Sequence, residues 1–417
     1  MGLMMRWMPC ALAALALGAA RVDAWNEAAE VLMAADGKLT GMVVGNSVPI
    51  NNGTWNRCEP HSMTFTRRNA PYVSLHFARF KLMDGDTMTL ENSNGTERRE
   101  IKPAPGVTVF STERINGPTA VVRFTPAGCQ RANQPLPADF GFEITALEYT
   151  YEQTVRKEDV CGANNQNEAA VCFKNRDGVS ADVYRKSMAV ARLIQSSQGP
   201  QTACTGWLLG SEGHLVTNQH CIKNAADANR TNFEFMVQSP QCDKSCRQIG
   251  DCRQFGTVES IGADFVHADE KLDFAIVKLR KKPCVLKGKY GFLSLRRQEP
   301  RVKEPIYLVH HPSGGGKAIA TTQDIDNVDD DPTTGDSGTT QAVVAEVNDE
   351  NNLGDFWTSY FADTERGSSG TPVLSMESHH VIAVHSNGAC KNSGAPSHLI
   401  IKNLQENKVE LPADAFA

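Results

Sequence analysis

Short stretches that alternate apolar and polar residues are the feature that most limits how this chain can fold. In "YVSLHFARF", "TAVVRF" and "GFEITALEY" every second residue is apolar. A period of two puts the apolar side chains on one face of a β-strand. Turn-forming segments, "MDGD", "NSNGTE" and "INGP", separate these stretches. We therefore predict a mainly β protein, with a β-sandwich over residues 25–155.

The first 24 residues have the pattern of a secretory signal peptide. Arg6 precedes an apolar run from Trp7 to Ala20, and small residues follow it. This run is too short to cross a bilayer comfortably, and no other stretch approaches the required length. We expect a secreted protein with no membrane anchor. Glycosylation sequons that fit this route begin at Asn52, Asn94 and Asn229.

The cysteine count also favours an oxidising compartment, because secreted proteins pair most of their cysteines. The chain has 12 cysteines, and Cys10 lies in the leader. The mature chain then has an odd number, which leaves one thiol free or linked between chains. The spacing of Cys242, Cys246 and Cys252 also fits a zinc site, but secreted loop cysteines more often pair with each other. We expect neither a metal nor an organic cofactor.

Charge and length exclude some classes of function. The net charge is -6, and the 417 residues contain no run of Lys or Arg. A nucleic-acid binder needs a basic surface, so that class is excluded. The length allows two or three domains at roughly 100–200 residues each. A polar stretch over 156–187, with two cysteines, is interpreted as the linker between them.

Chemistry-bearing residues concentrate after this stretch. "ACTGWLLGSEGHLVTNQHC" predicts a β-hairpin that ends on His220, and "KLDFAIVKL" places Asp273 before another alternating run. A neutral imidazole can accept the proton of a serine hydroxyl, and a buried carboxylate then orients the ring and stabilises its charged form. His220 and Asp273 are therefore candidates for a base and its partner.

These segments resemble trypsin-like serine proteases of the chymotrypsin fold, in which a Cys-x-Gly strand leads to a Thr-x-x-His-Cys turn. The resemblance implies a double β-barrel over residues 188–405, followed by a tail over 406–417. It also implies that Cys204 and Cys221 form a disulfide, that His220 is the catalytic base, and that Asp273 orients it.

Two serines compete for the role of nucleophile. Ser337 lies in "TTGDSGTTQ", inside an acidic stretch that solvates well and packs poorly, so it is a bad host for a desolvated site. Ser369 lies in "ERGSSGTPV", between short apolar runs, at the family's usual interval from Asp273. The glycine two residues earlier, Gly367, allows its N–H and that of Ser369 to converge on an oxyanion. We predict Ser369 as the nucleophile.

Ser368 stands where animal trypsins have the aspartate that receives the new N-terminus after zymogen cleavage. Without that aspartate, we do not expect this protein to be activated by a newly released N-terminus. The departure resembles the bacterial lysyl and glutamyl endopeptidase branches, which carry Gly-x-Ser-Gly-x-Pro. By analogy with that branch, Cys161 is expected to pair with Cys390, and Cys172 with a cysteine of the 242–284 group.

Substrate preference stays open between two readings. Asp363 stands where the trypsin pattern has the carboxylate at the floor of the specificity pocket, and a desolvated carboxylate there demands Lys or Arg at P1. His385 and Thr364 match instead the residues with which glutamyl endopeptidases contact an acidic side chain. We favour the basic preference.

The N-terminal block resembles a CUB-like domain in "VSLHFARFKL", "GDTMTLEN", "AVVRFTPAG" and "DFGFEITALEY". Such domains bind protein or glycan ligands, often with calcium. Asp84 and Asp86 are the carboxylates available here, although surface turn residues are the simpler interpretation. A disulfide between Cys58 and Cys129 is a guess within this block.

Taken together, the sequence predicts a secreted serine endopeptidase that acts on protein or peptide substrates. The rival interpretation is a non-catalytic binding or inhibitor protein that keeps the protease fold and acts through its CUB-like domain. A third is an enzyme that stays latent until the N-terminal domain is removed.

Overall fold

The computed structural model describes residues 42–103, 105–131, 135–150, 165–176, 181–196, 200–242, 246–324, 340–350 and 356–417. The leader, Cys161 and Ser337 lie outside these ranges. Strands dominate the described residues, so the mainly β prediction is confirmed. None of the helices in this part of the chain has the length and hydropathy needed to cross a bilayer.

The N-terminal part is a β-sandwich with one apolar core. A four-stranded sheet lies opposite the sheet that contains the longest strands of this part. Val73, Leu75 and Phe77 of one sheet meet Val122 and Phe124 of the other in this core, as the alternation predicts. A disulfide joins Cys58 to Cys129. The strands are β1 (Met42–Pro49), β2 (Thr54–Trp55), β3 (His61–Thr66), β4 (Tyr72–Lys81), β5 (Thr87–Asn92), β6 (Arg98–Glu100), β7 (Phe110–Ser111), β8 (Ile115–Asn116), β9 (Thr119–Thr125) and β10 (Gly141–Thr150).

The next part forms a closed β-barrel. β11 (Glu168–Ala169) precedes it and belongs to the sheet of the second barrel. The elements of the first barrel are α1 (Ala181–Ser187), β12 (Val190–Gln195), β13 (Gln201–Leu209), β14 (His214–Thr217), α2 (Ala225–Asn229), β15 (Thr231–Phe235), β16 (Thr257–Ile261), β17 (Ala263–Asp269), β18 (Phe274–Leu279) and α3 (Pro283–Tyr290). Pairing runs from β12 through β13, β14 and β18 to β17, and from β16 through β15 back to β12. Only Gly262, at φ 69°, separates β16 from β17. This bent strand therefore closes the barrel.

A second barrel follows. Its elements are β19 (Ile306–His310), β20 (Ala318–Ala320), β21 (Thr322–Gln323), β22 (Thr340–Gln341), β23 (Val343–Glu350), β24 (Phe356–Phe361), β25 (Pro372–Ser375), β26 (Val381–Asn387), β27 (Lys391–Pro396) and α4 (Ser397–Glu406). Pairing runs from β19 through β25, β26, β27 and β24 to β23. A bridge between Pro305 and Val343 closes the ring. Two barrels in series are the arrangement that the sequence predicts.

One strand belongs to both the sandwich and the first barrel. β1 pairs with β10 on one side and, through Met42 and Ala203, with β13 on the other. Buried polar contacts support this junction: Arg114 Nη2 donates to Gln201 Oε1 at 3.1 Å, and the Tyr72 hydroxyl donates to the Gly250 carbonyl. The sandwich is therefore joined to the barrel by a continuous sheet.

The described part of the expected linker is folded against the barrels, which corrects that expectation. β11 pairs with β20, and Phe173 and Val183 lie in the same apolar core as the barrel strands. The expected tail is also packed, because Phe416 bridges to Leu295 and Ala415 is fully buried. Apolar side chains in both segments favour burial over a free linker or tail.

Candidate active site

His220 and Asp273 form a buried pair on the first barrel. His220 Nδ1 lies 2.7 Å from Asp273 Oδ2, and the His220 backbone N–H donates to Asp273 Oδ1 at 3.0 Å. Each residue is 8% exposed. A carboxylate accepts and cannot donate, so Nδ1 carries the proton and Nε2 remains the acceptor. This is the tautomer that a general base requires.

Two further side chains hold the aspartate in place. The Ser386 hydroxyl donates to Asp273 Oδ2, and Asn218 Nδ2 donates to the Asp273 carbonyl at 2.7 Å. Asp273 has a φ of 46°, a left-handed conformation that residues other than Gly, Asn and Asp rarely adopt. These bonds stabilise the strained backbone and the charge of the carboxylate together.

Ser369 lies on a tight turn before β25, and the turn is seated on β13. The Ser369 carbonyl accepts the Thr205 N–H at 2.8 Å. Gly370, at φ 88°, allows this contact, since a Cβ there would lie 2.2 Å from the Thr205 carbonyl oxygen. Ser369 itself is partly exposed. The turn thus presents the serine at the junction of the two barrels.

The same strand is linked covalently to the histidine. Cys204 precedes Thr205 and forms a disulfide with Cys221, which follows His220. Among the described residues, no hydrogen bond joins the Ser369 hydroxyl to His220. Such bonds are often long in unliganded enzymes and shorten when substrate binds.

Two backbone donors lie beside Ser369. Gly367 has a φ of 93°, and a Cβ there would lie 2.7 Å from the Gly314 nitrogen, so only glycine fits. The Gly367 carbonyl accepts the Thr205 hydroxyl at 3.0 Å. Within the described parts of the chain, the N–H groups of Gly367 and Ser369 donate to no acceptor. Both are available to an oxyanion.

Ser368 is buried in a chain of neutral hydrogen bonds. Its Oγ lies 2.7 Å from His310 Nδ1 and accepts the Glu365 N–H at 3.2 Å. His310 Nε2 lies 2.7 Å from Asn167 Oδ1. Burial lowers the pKa of His310 to about 3, so the ring is neutral at pH 7. The amide oxygen accepts from Nε2–H, and Nδ1 therefore accepts from the Ser368 hydroxyl.

The three residues considered for substrate preference are buried in the second barrel. Asp363 Oδ2 accepts the Gln166 N–H at 2.7 Å, and Thr364 Oγ1 donates to Asn392 Oδ1 at 2.7 Å. His385 Nδ1 lies 2.6 Å from the Tyr360 hydroxyl. Burial, with the neighbouring His220 as a second cause, lowers the pKa of His385 to about 3. The ring carries no charge at neutral pH.

Cysteine chemistry in the described residues is disulfide chemistry rather than metal binding. The sulfurs of Cys204 and Cys221 lie close to a His220 nitrogen, but they are bonded to each other and are not thiolates. The zinc hypothesis for 242–252 is replaced by the disulfides Cys172–Cys242 and Cys246–Cys252. Cys284 is a free, exposed thiol. Cys390 is disulfide-bonded, and its expected partner, Cys161, is outside the described residues.

Other sequence candidates fall on the surface. Asp86 is used by the backbone, since Oδ1 accepts the N–H groups of Gly128 and Cys129 at 2.7 and 2.9 Å. This leaves little room for calcium. Asn52 and Asn94 are exposed, while Asn229 is partly buried and accepts from Arg280.

Sequence reasoning missed three side chains near the site, namely Ser386, His310 and Asn167. Ser386 directly follows His385, so a closer reading of "VHSNG" offered a signal. His310 lies in "HHPSGGGK", where no motif spacing singles out the histidine. Asn167 lies in the expected linker and gave no signal.

Sequence comparison finds a matching family model and similar proteins. Residues 162–398 match the family model described as lysyl endopeptidase, C-terminal domain. The chain is 32% identical over 358 residues to secreted RxLR effector protein 73 of Plasmopara viticola, covering 84% of this chain and 83% of that protein. It is 25% identical over 214 residues to lysyl endopeptidase of Pseudomonas aeruginosa, covering 49% of this chain and 43% of that protein.

Solved structures of proteases are also similar. The HtrA-type protease AlgW with tripeptide has 18% identity and a TM-score of 0.36, covering 54% of this chain and 61% of that chain. Rv3671c from M. tuberculosis has 16% identity and a TM-score of 0.36, covering 55% of this chain and 92% of that chain. Because the family model matches residues 162–398, more than half of the chain, the chain belongs to the family of the lysyl endopeptidase C-terminal domain.

Proposed function

We propose that this protein is a serine endopeptidase that cleaves protein or peptide substrates through an acyl-enzyme. The observation that carries the proposal is the 2.7 Å hydrogen bond between His220 and Asp273. The turn that carries His220 is also linked by a disulfide to β13, the strand that contacts Ser369. The uncommitted N–H groups of Gly367 and Ser369 support it further. This combination supplies a base, its partner, a nucleophile and an oxyanion site.

The proposed reaction follows from these positions. His220 Nε2 takes the proton of the Ser369 hydroxyl as Oγ attacks the scissile carbonyl carbon. The N–H groups of Gly367 and Ser369 donate to the oxygen that becomes negative, and each such donor contributes roughly 3–4 kcal/mol. His220 then gives its proton to the leaving amine. Water, activated by the same ring, releases the acyl group and restores Ser369.

We also propose a preference for Lys or Arg at P1. His385 is neutral at pH 7, so it offers no positive charge to an acidic side chain. Asp363 is a fully buried carboxylate in this region. The relative in Pseudomonas aeruginosa is named a lysyl endopeptidase. A panel of fluorogenic peptides with Lys, Arg, Glu or Phe at P1 tests this, and higher kcat/KM for Glu contradicts it.

The protein is further proposed to be secreted after removal of residues 1–24 and to carry glycans at its sequons. The relative in Plasmopara viticola is named a secreted protein, which supports export. For the sandwich we keep the proposal of a CUB-like binding domain with a protein or glycan ligand, over residues 25–155. The protease domain is proposed to extend over 188–405, preceded by the folded residues 165–176 and 181–187.

A second candidate function is a non-catalytic binding protein. The name of the relative that is 32% identical calls it an effector and says nothing of catalysis. Effectors act on partners, and a protease fold can be retained for binding. Under this alternative the Ser369 hydroxyl is not activated.

The experiment that separates the two is labelling with a fluorophosphonate probe, followed by peptide mass spectrometry. The serine peptidase proposal expects an adduct on Ser369 that is lost in Ser369→Ala and His220→Ala. Ser337→Ala is the matched control, because it removes the competing serine and is expected to leave labelling unchanged. Absence of any adduct favours the binding protein.

A further inference from the structure

The segment before the first barrel, residues 165–168, lies against the turn that carries the oxyanion donors. We call it the support segment. Asn165 Nδ2 donates to Glu365 Oε1 at 2.6 Å, and the Gln166 N–H donates to Asp363 Oδ2 at 2.7 Å. Asn167 reaches the same turn through His310. Two consecutive residues therefore contact the stretch that leads into Gly367, and the third is linked to Ser368 through His310.

The support segment is itself held in place. Glu168 pairs with Ile319 of β20, and Arg176 forms an ion pair with the Glu168 carboxylate. Shortly afterwards, a disulfide joins Cys172 to Cys242. Because the backbone that follows it is restrained in this way, the support segment can hold the Asn167 side chain in a defined position, which a free terminus could not do.

The bonds between Asn167, His310 and Ser368 run from a partly exposed residue, Asn167, into a fully buried place. His310 and Ser368 are each 0% exposed. Their hydrogen bonds are 2.7 Å long at both ring nitrogens. Because every partner is neutral, this chain of bonds avoids the desolvation cost that a buried ion pair carries. Removing either partner of His310 is costly, since a buried ring nitrogen then has no hydrogen bond.

Ser368 lies between the two donors of the oxyanion site. The Ser369 N–H belongs to the peptide bond between Ser368 and Ser369, and the Gly367 N–H to the preceding bond between Arg366 and Gly367. A fixed Ser368 therefore sets the direction of the Ser369 N–H and restrains the backbone that carries the Gly367 N–H. The Ser368 hydroxyl accepts the Glu365 N–H and donates to His310, which leaves it one rotamer. A side chain held at both ends restrains the backbone to which it is attached.

We propose that Asn167 and His310 are positioning residues that hold Ser368, so that the N–H groups of Gly367 and Ser369 form the oxyanion site in the uncut chain. Asn167 and His310 then do, with neutral hydrogen bonds, what a newly released terminus does with charge in trypsin-like zymogens. This inference rests on the proposed serine peptidase function. It adds that no cleavage before the first barrel is needed for activity.

Removing one partner tests the inference by kinetics. Asn167→Ala leaves His310 Nε2–H without its acceptor, and His310→Leu removes the acceptor of the Ser368 hydroxyl. We expect kcat to fall by about tenfold or more in each, because a displaced oxyanion donor costs on the order of 10²–10³ in turnover. KM is expected to change little, since the loss falls on the transition state.

Two further variants separate positioning from folding. His310→Asn keeps an oxygen acceptor near the position of Nδ1, and kcat is expected to recover part of the loss seen in His310→Leu. Asn403→Ala is the matched control, because Asn403 Oδ1 also lies 2.9 Å from a histidine nitrogen, that of His267, on the opposite barrel. It is expected to retain full kcat. The low-field NMR signal of the His220 Nδ1 proton reports whether the pair with Asp273 persists.

The outcomes are distinct. Labelling of Ser369 in the wild-type chain, with kcat lost in Asn167→Ala while the low-field signal remains, supports the inference. Equal kcat in the wild type and Asn167→Ala overturns it while the peptidase function stands. No labelling of the wild type overturns both. Intact-mass spectrometry of the labelled wild type is expected to show residues 165–190 uncut, and labelling only after cleavage there also overturns the inference.

Discussion

Gly367 is the residue at which backbone conformation and proposed chemistry meet most directly. Alanine at φ 93° is strained, and its Cβ would lie 2.7 Å from the Gly314 nitrogen. We expect Gly367→Ala to lower kcat by about 100-fold, because the turn must move and take one oxyanion donor with it. Steady-state kinetics measure this. Gly117→Ala, also at positive φ but in open space, is expected to keep full kcat.

Ser386 is expected to contribute through the aspartate rather than through substrate. Ser386→Ala removes a hydroxyl that donates to Asp273 Oδ2. A hydrogen bond to a charged group contributes about 1.5–3 kcal/mol, so kcat is expected to fall by about tenfold or more. Ser294→Ala is the control, since it loses a similar donor, to the Asp414 carbonyl, away from the site. An unchanged kcat in Ser386→Ala contradicts the assignment.

Individual site residues could be predicted from the sequence where they lie in a short motif. His220 and Asp273 each stand beside a recognisable strand, and the structure joins them by a hydrogen bond. That Ser369 attacks stays a prediction. Asn167 was out of reach, because its partner His310 lies 143 residues away and no periodicity records such a contact.

Among the elements, the strand that bends at Gly262 carries a specific requirement. Gly262 has a φ of 69°, and a Cβ there would lie 3.0 Å from the Asn229 carbonyl oxygen. We expect Gly262→Ala to lower the free energy of unfolding by about 2 kcal/mol, from backbone strain and crowding. Urea unfolding measures the loss. Gly288→Ala, in α3 with nothing within 4 Å, is expected to stabilise by about 0.5–1 kcal/mol instead.

Strands could be predicted wherever one face is buried. β9 shows this well, since Ala120, Val122 and Phe124 are buried and their neighbours are not. The two-residue strand β11 could not be predicted, because it is too short for a period to show. The pairing of β11 with β20 is a long-range contact, which explains why the segment before it was interpreted as a linker.

For the whole molecule, one buried amine makes stability depend on pH. Lys317 is 1% exposed, and its Nζ donates to the Ser187 carbonyl at 2.8 Å. Burial lowers its pKa from 10.5 to about 7. Between these values the unfolded chain binds a proton that the folded chain lacks, so stability rises as the pH increases from about 7 to 10.5.

Comparison with Lys317→Met isolates this effect. The variant cannot titrate at this position, so the rise in the free energy of unfolding from pH 7 to pH 10 is expected to be smaller than in the wild type. Urea unfolding of both proteins at the two pH values gives the difference. Equal rises show that Lys317 does not titrate as its burial predicts.

The strand shared between sandwich and barrel has a consequence for synthesis. β1 is among the first described residues made, yet its partner β13 begins at Gln201, after the sandwich strands are complete. Until then the newly made sandwich has an open edge, and open edges invite pairing with other chains. Nascent chains of this protein are therefore expected to be most prone to edge-to-edge pairing during the interval between these strands.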